Sequence, residues 1–429
     1  MKGIVVKMLT VVTVILLYDF LINAQPKLTD QQDAISLYKA VENYLQYRGK
    51  ELLGKGERYD PERLERERRS LAKKNVVILS AQPNLSNEDY YYLGLLYGYA
   101  DEKEKAIDAL RRFLSQAESG ESAQSARSNL VILLAEKKQF AEMEQVYNAW
   151  LKSEPSKLGQ RPALESVIGS AYYMQGKYEQ AINHSQEGFN LLKTIETNSI
   201  SSRAKKGDYC GSLAEILALS YRRTKRNDEA LTVLAEARAM ALAMLSPQLY
   251  RKVMQVVEGE DISEKKLMEK IESFKTADTA PELAVRDWLG HEPVSLEELR
   301  GKVVLLDFWA TWCGPCISTF PQLKSWHKKY SEKGLVIIGV TRYWGRGDDH
   351  QMTQLQEYNF LQEFKKRYDL PYSFAIADNS ETATRYGVNA YPTTFLLDRR
   401  GMVRYIGIGS GIEESENTRE MIEKLLKEP

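Results

Sequence analysis

Cys313 and Cys316 stand three residues apart in the stretch VVLLDFWATWCGPCISTFPQL, and they carry the most specific chemistry in the chain. A CxxC pair can be a dithiol/disulfide couple, half of a zinc site or a small structural staple. A disulfide spanning so short a loop removes little entropy from the unfolded chain, which makes the staple unattractive. Structural zinc needs four ligands. The third cysteine, Cys210, falls in a different, helical region, and His184, His291, His327 and His350 show no ligand spacing. A peroxidase asks for a threonine before its active cysteine and a distant arginine, so that reading is weaker too. The redox couple fits best. Cys313 would sit at the mouth of a helix, where free backbone N–H groups and the dipole favour a thiolate. Cys316, one turn inside, is placed to attack a mixed disulfide, and Gly314 and Pro315 keep the connection short. Cys210 reads as a buried, unreactive helix cysteine.

The surrounding segments are those needed to hold such a turn. VVLLDFW reads as a strand apolar throughout except for Asp307, and a helix is expected from about Pro315. A carboxylate in an apolar strand is costly unless it is protonated, paired or hydrated. GLVIIGV and SFAIADN read as further buried strands, separated by the polar insertion RYWGRGDDHQMTQLQEYNF, which should end in a helix. TTFLLD and GMVRYIGI read as a hairpin around Arg399 and Arg400, and IEESENTREMIEKLLKE as a C-terminal amphipathic helix. This is an α/β order. GIGSG at 407–411 follows the hairpin instead of opening a βαβ unit, so it reads as turn glycine and not as a phosphate loop.

Before this region, residues 27–274 are dominated by helix formers at helical spacing. Gly94 to Ala106 and Gly169 to Ala181 repeat one separation, and looser copies centre on Met143 and Ala230. These residues resemble the tetratricopeptide repeat, in which small side chains let paired helices approach. The resemblance implies an α-solenoid offering a surface to a peptide, a protein or a second copy. The tyrosine-rich run from Tyr90 to Tyr99 reads mostly as helix-pair core. The fold class expected is therefore multidomain: an all-α tetratricopeptide-like solenoid, then an α/β domain over 279–429.

The first 24 residues, with Lys2 and Lys7 before an apolar run and Ala24 at its end, read as a cleavable signal peptide. An uncleaved anchor is the rival. The 429 residues carry 59 basic and 59 acidic side chains, so no global charge argues for nucleic acid or anionic membrane.

KVVLLDFWATWCGPC, Pro321 and the downstream YGVNAYPTTFLLDRRG closely resemble thioredoxin-fold proteins. PELAVRDWLGHEPVSLEELRGK and the insertion after GLVIIGV narrow this to the TlpA/ResA-like exported thiol–disulfide oxidoreductases. The resemblance spans about residues 279–429. It implies a thioredoxin-like domain with a nucleophile at Cys313 and a resolving thiol at Cys316. Pro392 matches the family's cis proline, which would present the Tyr391 backbone to substrate, and Trp312, Gly314 and Pro315 would line the contact surface. Asp307 matches the buried acid that relays protons for the second cysteine in thioredoxin; many TlpA/ResA-like members have asparagine there. No metal or cofactor is implied. The implied partners are protein thiols and disulfides, a membrane electron donor of the DsbD or CcdA type, and an apocytochrome c as client. The competing class is a partner-binding scaffold whose thioredoxin-like domain senses redox state.

Overall fold

The computed structural model describes residues 33–55, 59–196, 199–271, 274, 279–290, 292–346 and 351–428. The signal-peptide reading, His291, and Asp348, Asp349 and His350 of the insertion lie outside them. The chain divides into two compact units between Gly188 and Phe189.

The first unit is helical: α1 (Ala34–Glu42), α2 (Tyr44–Gly54), α3 (Pro61–Ser80), α4 (Asn87–Tyr99), α5 (Lys103–Leu114), α6 (Glu121–Glu136), α7 (Phe140–Lys152), α8 (Arg161–Met174) and most of α9 (Tyr178–Thr194). Local chemistry starts several of them. Asp60 accepts the Arg63 N–H with Pro61 in the first turn of α3, and Ser86 and Asp89 form a reciprocal cap on α4. The paired helices approach at small residues. A Cβ on Gly94 would lie 2.7 Å from Leu110 Cδ2, and one on Gly169 2.2 Å from Ser185 Oγ. Tyr91 is buried against Phe113, while Tyr90, Tyr92, Tyr97 and Tyr99 are half-buried.

One turn recurs along the helical segments. Asp101, Lys138, Gly176 and Lys225 all have positive φ, and each stands five residues before Ala106, Met143, Ala181 or Ala230. The next residue's N–H returns to the fifth carbonyl back: Glu102 to Tyr97, Gln139 to Leu134, Lys177 to Tyr172, Arg226 to Tyr221. This is the Schellman closure of a helix C-terminus. Only one of the four positions is glycine, so the repetition is plainer in the backbone than in the residues.

A buried polar network joins α7, α8 and α9. His184 Nδ1 lies 2.7 Å from Glu165 Oε2 and its Nε2 3.0 Å from Glu144 Oε1; Tyr147 and Arg161 also bond Glu165, and Tyr172 bonds Glu144. Burial alone would lower the imidazole, but the hydrogen bonds to Glu144 and Glu165 prevail and push it up to about 9.

The second unit begins with helices α10 (Ile200–Arg223), α11 (Asn227–Ala243), α12 (Pro247–Gly259) and α13 (Glu264–Ile271). A six-stranded sheet follows, ordered β1-β4-β3-β2-β5-β6, from β1 (Asp287–Leu289), β2 (Val303–Phe308), β3 (Leu335–Arg342), β4 (Ser373–Ala377), β5 (Thr393–Leu397) and β6 (Val403–Ile408). β2 pairs parallel with β3 and β3 with β4; β1–β4, β2–β5 and β5–β6 are antiparallel. β2 is buried along its whole length, as expected of a central strand covered on both faces. The associated helices are α14 (Gly314–Tyr330), α15 (Gln354–Arg367), the short α16 (Glu381–Arg385) and α17 (Ile412–Lys427). The architecture is therefore a long helical region followed by an α/β domain on a mixed sheet. SLEELRGK forms a turn in which Ser295 and Glu298 cap one another.

Within this second unit α12 packs on the sheet domain. The Tyr250 ring meets Tyr405 of β6 edge-on at 5.8 Å, and Gln248 Nε2 donates to the Gly387 carbonyl at 3.2 Å. Gly387 has φ +63, and a Cβ there would lie 2.5 Å from the Leu245 carbonyl oxygen. Only glycine permits both the conformation and the approach.

Candidate active site

β2 delivers the site. Its last residues lead through Trp309–Trp312 into Cys313, which caps α14, and Cys313 and Cys316 are joined as a disulfide with Cα atoms 5.2 Å apart. The Cys316 N–H points at Cys313 Sγ, 3.2 Å away. The same donor, with the N-terminal dipole of a 17-residue helix, would stabilise negative charge on that sulfur after reduction. Cys313 is 5% exposed and Cys316 fully buried, so incoming reactants reach the first sulfur. Gly314 and Pro315 form the first turn of α14, where proline's missing N–H costs nothing.

Asp307 lies opposite Gly339 of β3 and Thr394 of β5, 2% exposed, and its Oδ2 has no hydrogen-bond partner among the described residues. Burial pushes its carboxyl up to about 7. An acid so placed is poised to gain or lose a proton near neutral pH. Gly339 makes room beside it. A Cβ at 339 would meet Trp309 Nε1 at 2.9 Å and Phe374 Cδ1 at 3.0 Å. Trp309 is itself packed among Phe320, Phe364 and Phe374, as core.

Pro392 follows a cis peptide bond from Tyr391 and leads into β5. Its carbonyl accepts the N–H of Gly409, the central glycine of GIGSG, at 3.0 Å, and Thr393 Oγ1 donates to the Ala390 carbonyl. The Trp312 and Tyr391 rings meet edge-on at 6.1 Å, joining the proline loop to the cysteine turn, and Trp312 is 49% exposed. The structure thus brings Trp312, Cys313, Gly314, Pro315, Cys316, Tyr391 and Pro392 to one mouth. Asp307 lies below it on β2, without a hydrogen bond to the pair. Cys210 lies in α10, fully buried, and burial raises its thiol to about 12.

Two residues at this mouth escape sequence reasoning. Trp344, in the insertion, meets Trp312 at 5.0 Å and Tyr391 at 5.9 Å. Glu357 of α15 is 3% exposed and accepts the N–H groups of Trp344 and Gly345, each at 2.9 Å. A tryptophan in a polar run and a glutamate within a helix carry no signal separating them from surface residues.

Residues 275–425 match the family model Redoxin. The thiol-disulfide oxidoreductase ResA of Bacillus thuringiensis subsp. konkukian is 35% identical over 160 residues, 37% of this chain and 80% of that protein. Thioredoxin-like protein YneN of Bacillus subtilis is 33% identical over 131 residues, 30% of this chain and 70% of the relative. The crystal structure of a thiol:disulfide interchange protein DsbE from Chlorobium tepidum is 30% identical and covers 36% of this chain and 99% of its own, with a TM-score of 0.30. A CxxC disulfide at the mouth of a helix and relatives of this similarity lead to one conclusion: the chain belongs to the TlpA/ResA-like thioredoxin-fold thiol–disulfide oxidoreductases.

Proposed function

We propose that this chain is an exported protein-disulfide reductase whose helical segment, residues 27–274, acts as tetratricopeptide-like repeats that select its partners. The observation that carries the reading is the polarity of the couple: Cys313 faces the mouth and accepts the Cys316 N–H, while Cys316 is buried behind it. The Cys313 thiolate attacks a substrate disulfide, forming a mixed disulfide and expelling one substrate thiolate, which takes up a proton. Cys316 then attacks Cys313 Sγ, expels the second substrate thiolate and closes the Cys313–Cys316 bond. Two electrons pass from the dithiol to the substrate. Asp307 takes the proton that Cys316 loses; its carboxyl, raised by burial to about 7, suits that exchange. Trp312, Gly314 and Pro315 supply contact surface, and the cis Pro392 presents the Tyr391 backbone to an extended substrate. A membrane electron donor of the DsbD or CcdA type restores the dithiol, and an apocytochrome c is one candidate client.

Cys316→Ser tests the order of attack. It is expected to accumulate mixed disulfides through Cys313 in cells, while the wild-type chain reduces insulin disulfides. Trapping through Cys313→Ser instead would reverse the assigned roles. Alkylation of the couple in the native host tests direction: a mainly oxidised pair at steady state would make the enzyme an oxidant.

A further inference from the structure

The insertion after β3 builds a second feature at the mouth. Trp344, Trp312 and Tyr391 stand mutually edge-to-face, with interplanar angles of 84°, 86° and 77°, and the two indoles also turn faces toward guanidinium groups. Two cations take positions over those faces. The Arg342 guanidinium lies 3.8 Å from the Trp344 centroid and that of Arg346 5.4 Å from the Trp312 centroid. Guanidinium groups stacked this way keep their in-plane N–H donors available for a carboxylate.

The neighbouring acids are already engaged. Glu357 holds the Trp344 and Gly345 amides, Asp287 accepts Tyr343 Oη at 2.7 Å, and Asp378 is held by Arg286 and Gln354. Among the described residues neither Arg342 nor Arg346 forms an ion pair. The base of the insertion is fixed as well, by the Met352 N–H to the Gly345 carbonyl at 2.9 Å and a backbone bridge between Arg346 and Gln351. Two positive charges without an ion pair among the described residues, and three rings, thus stand beside a reactive disulfide.

We propose that Arg342, Arg346, Trp312, Trp344 and Tyr391 form a substrate subsite that takes an acidic polypeptide segment, so that the enzyme chooses among disulfides by the Asp and Glu side chains flanking the target cysteine. Glu357 is the positioning residue that holds the Trp344 backbone in place. This deepens the reductase reading and rests on it for its biological sense, but binding tests it separately from turnover.

The test uses the oxidised full-length chain and three peptides in which serine replaces the target cysteine, flanked by glutamate, by lysine or by uncharged residues. Binding is followed by tryptophan fluorescence. The acidic peptide should bind about tenfold more tightly than the basic one at low salt. The difference should shrink near 1 M salt, where charges are screened within about 3 Å. Arg346→Gln, at an exposed position, should reduce the preference, and Arg342→Gln with Arg346→Gln should bring it within about twofold. Glu357→Gln should weaken binding of the acidic and uncharged peptides alike by loosening Trp344. Equal affinity for all three peptides, no measurable binding, or a preference unchanged in the double variant would overturn the subsite. Reduction of an uncharged disulfide peptide, measured in parallel, reports the reductase reading alone.

Discussion

Replacing Asp307 by asparagine should make the oxidised protein more stable at pH 8 and leave it unchanged at pH 3.5. The carboxyl is 2% exposed on a strand buried on both faces, its Oδ2 lacks a partner among the described residues, and burial raises it from the ordinary aspartate value of 3.8 to about 7. The sign follows from proton binding. Below 3.8 both folded and unfolded chains hold the proton and Asp307 costs nothing by ionisation. Between 3.8 and about 7 the unfolded carboxyl releases its proton while the folded one keeps it, so stability falls as pH rises. Above about 7 the loss is complete. A shift of about three units at about 1.36 kcal/mol each amounts to roughly 4 kcal/mol, an upper value if water hydrates the site. Asparagine keeps the shape and cannot ionise, so the variant should recover most of that at pH 8. Amide hydrogen exchange of β2 and β5 is the suitable assay, because it reads opening of the sheet without assuming that the helical unit unfolds with it. The disulfide should stay closed throughout, which removes the thiols from the titration. A stabilisation equal at both pH values, or a variant less stable at pH 8, would refute the reasoning. The same substitution should slow release of substrate from the mixed disulfide and flatten the pH dependence of that step; an unchanged pH profile would remove Asp307 from the proton pathway.

Two further outcomes concern the helices. His184, held protonated between Glu144 and Glu165, stabilises the first unit fully below pH 6.5 and loses that contribution as pH rises through about 9, so His184→Gln should be less stable at pH 6 and nearly equal to wild type at pH 10 by thermal unfolding of the α7–α9 region. Gly387→Ala combines a positive φ with a 2.5 Å approach to the Leu245 carbonyl, so it should destabilise by about 1–3 kcal/mol and raise hydrogen exchange together in residues 245–250 and 388–392; unchanged exchange in the first segment would show that the contact is dispensable.

The α/β order was legible because its signals are local. An apolar strand, a CxxC turn and a hairpin marked by Arg399 and Arg400 announce themselves within a few residues, and Asp307 stands out against an apolar run. The helical hairpins were legible where small residues mark the approach, at Gly94 and Gly169. Their common Schellman turn was not, because Asp101, Lys138 and Lys225 adopt the left-handed conformation without being glycine. Trp344, Glu357 and Gly387 were hidden for a different reason. Each matters through a neighbour distant in sequence: Trp312 and Tyr391 for the indole, the Trp344 and Gly345 amides for the carboxylate, Leu245 for the glycine. Local pattern holds no record of such meetings.

The burial of Cys210 has a practical consequence for following the enzyme at work. With its thiol fully enclosed and raised to about 12, a native chain presents an alkylating reagent with only the Cys313–Cys316 pair. On a folded molecule the closed disulfide takes no label and the reduced pair takes one at Cys313, the sulfur at the mouth, a direct readout of whether it holds its electrons. A label on Cys210 marks a molecule whose helical segment has opened, so mapping the labelled peptides separates reduction from unfolding.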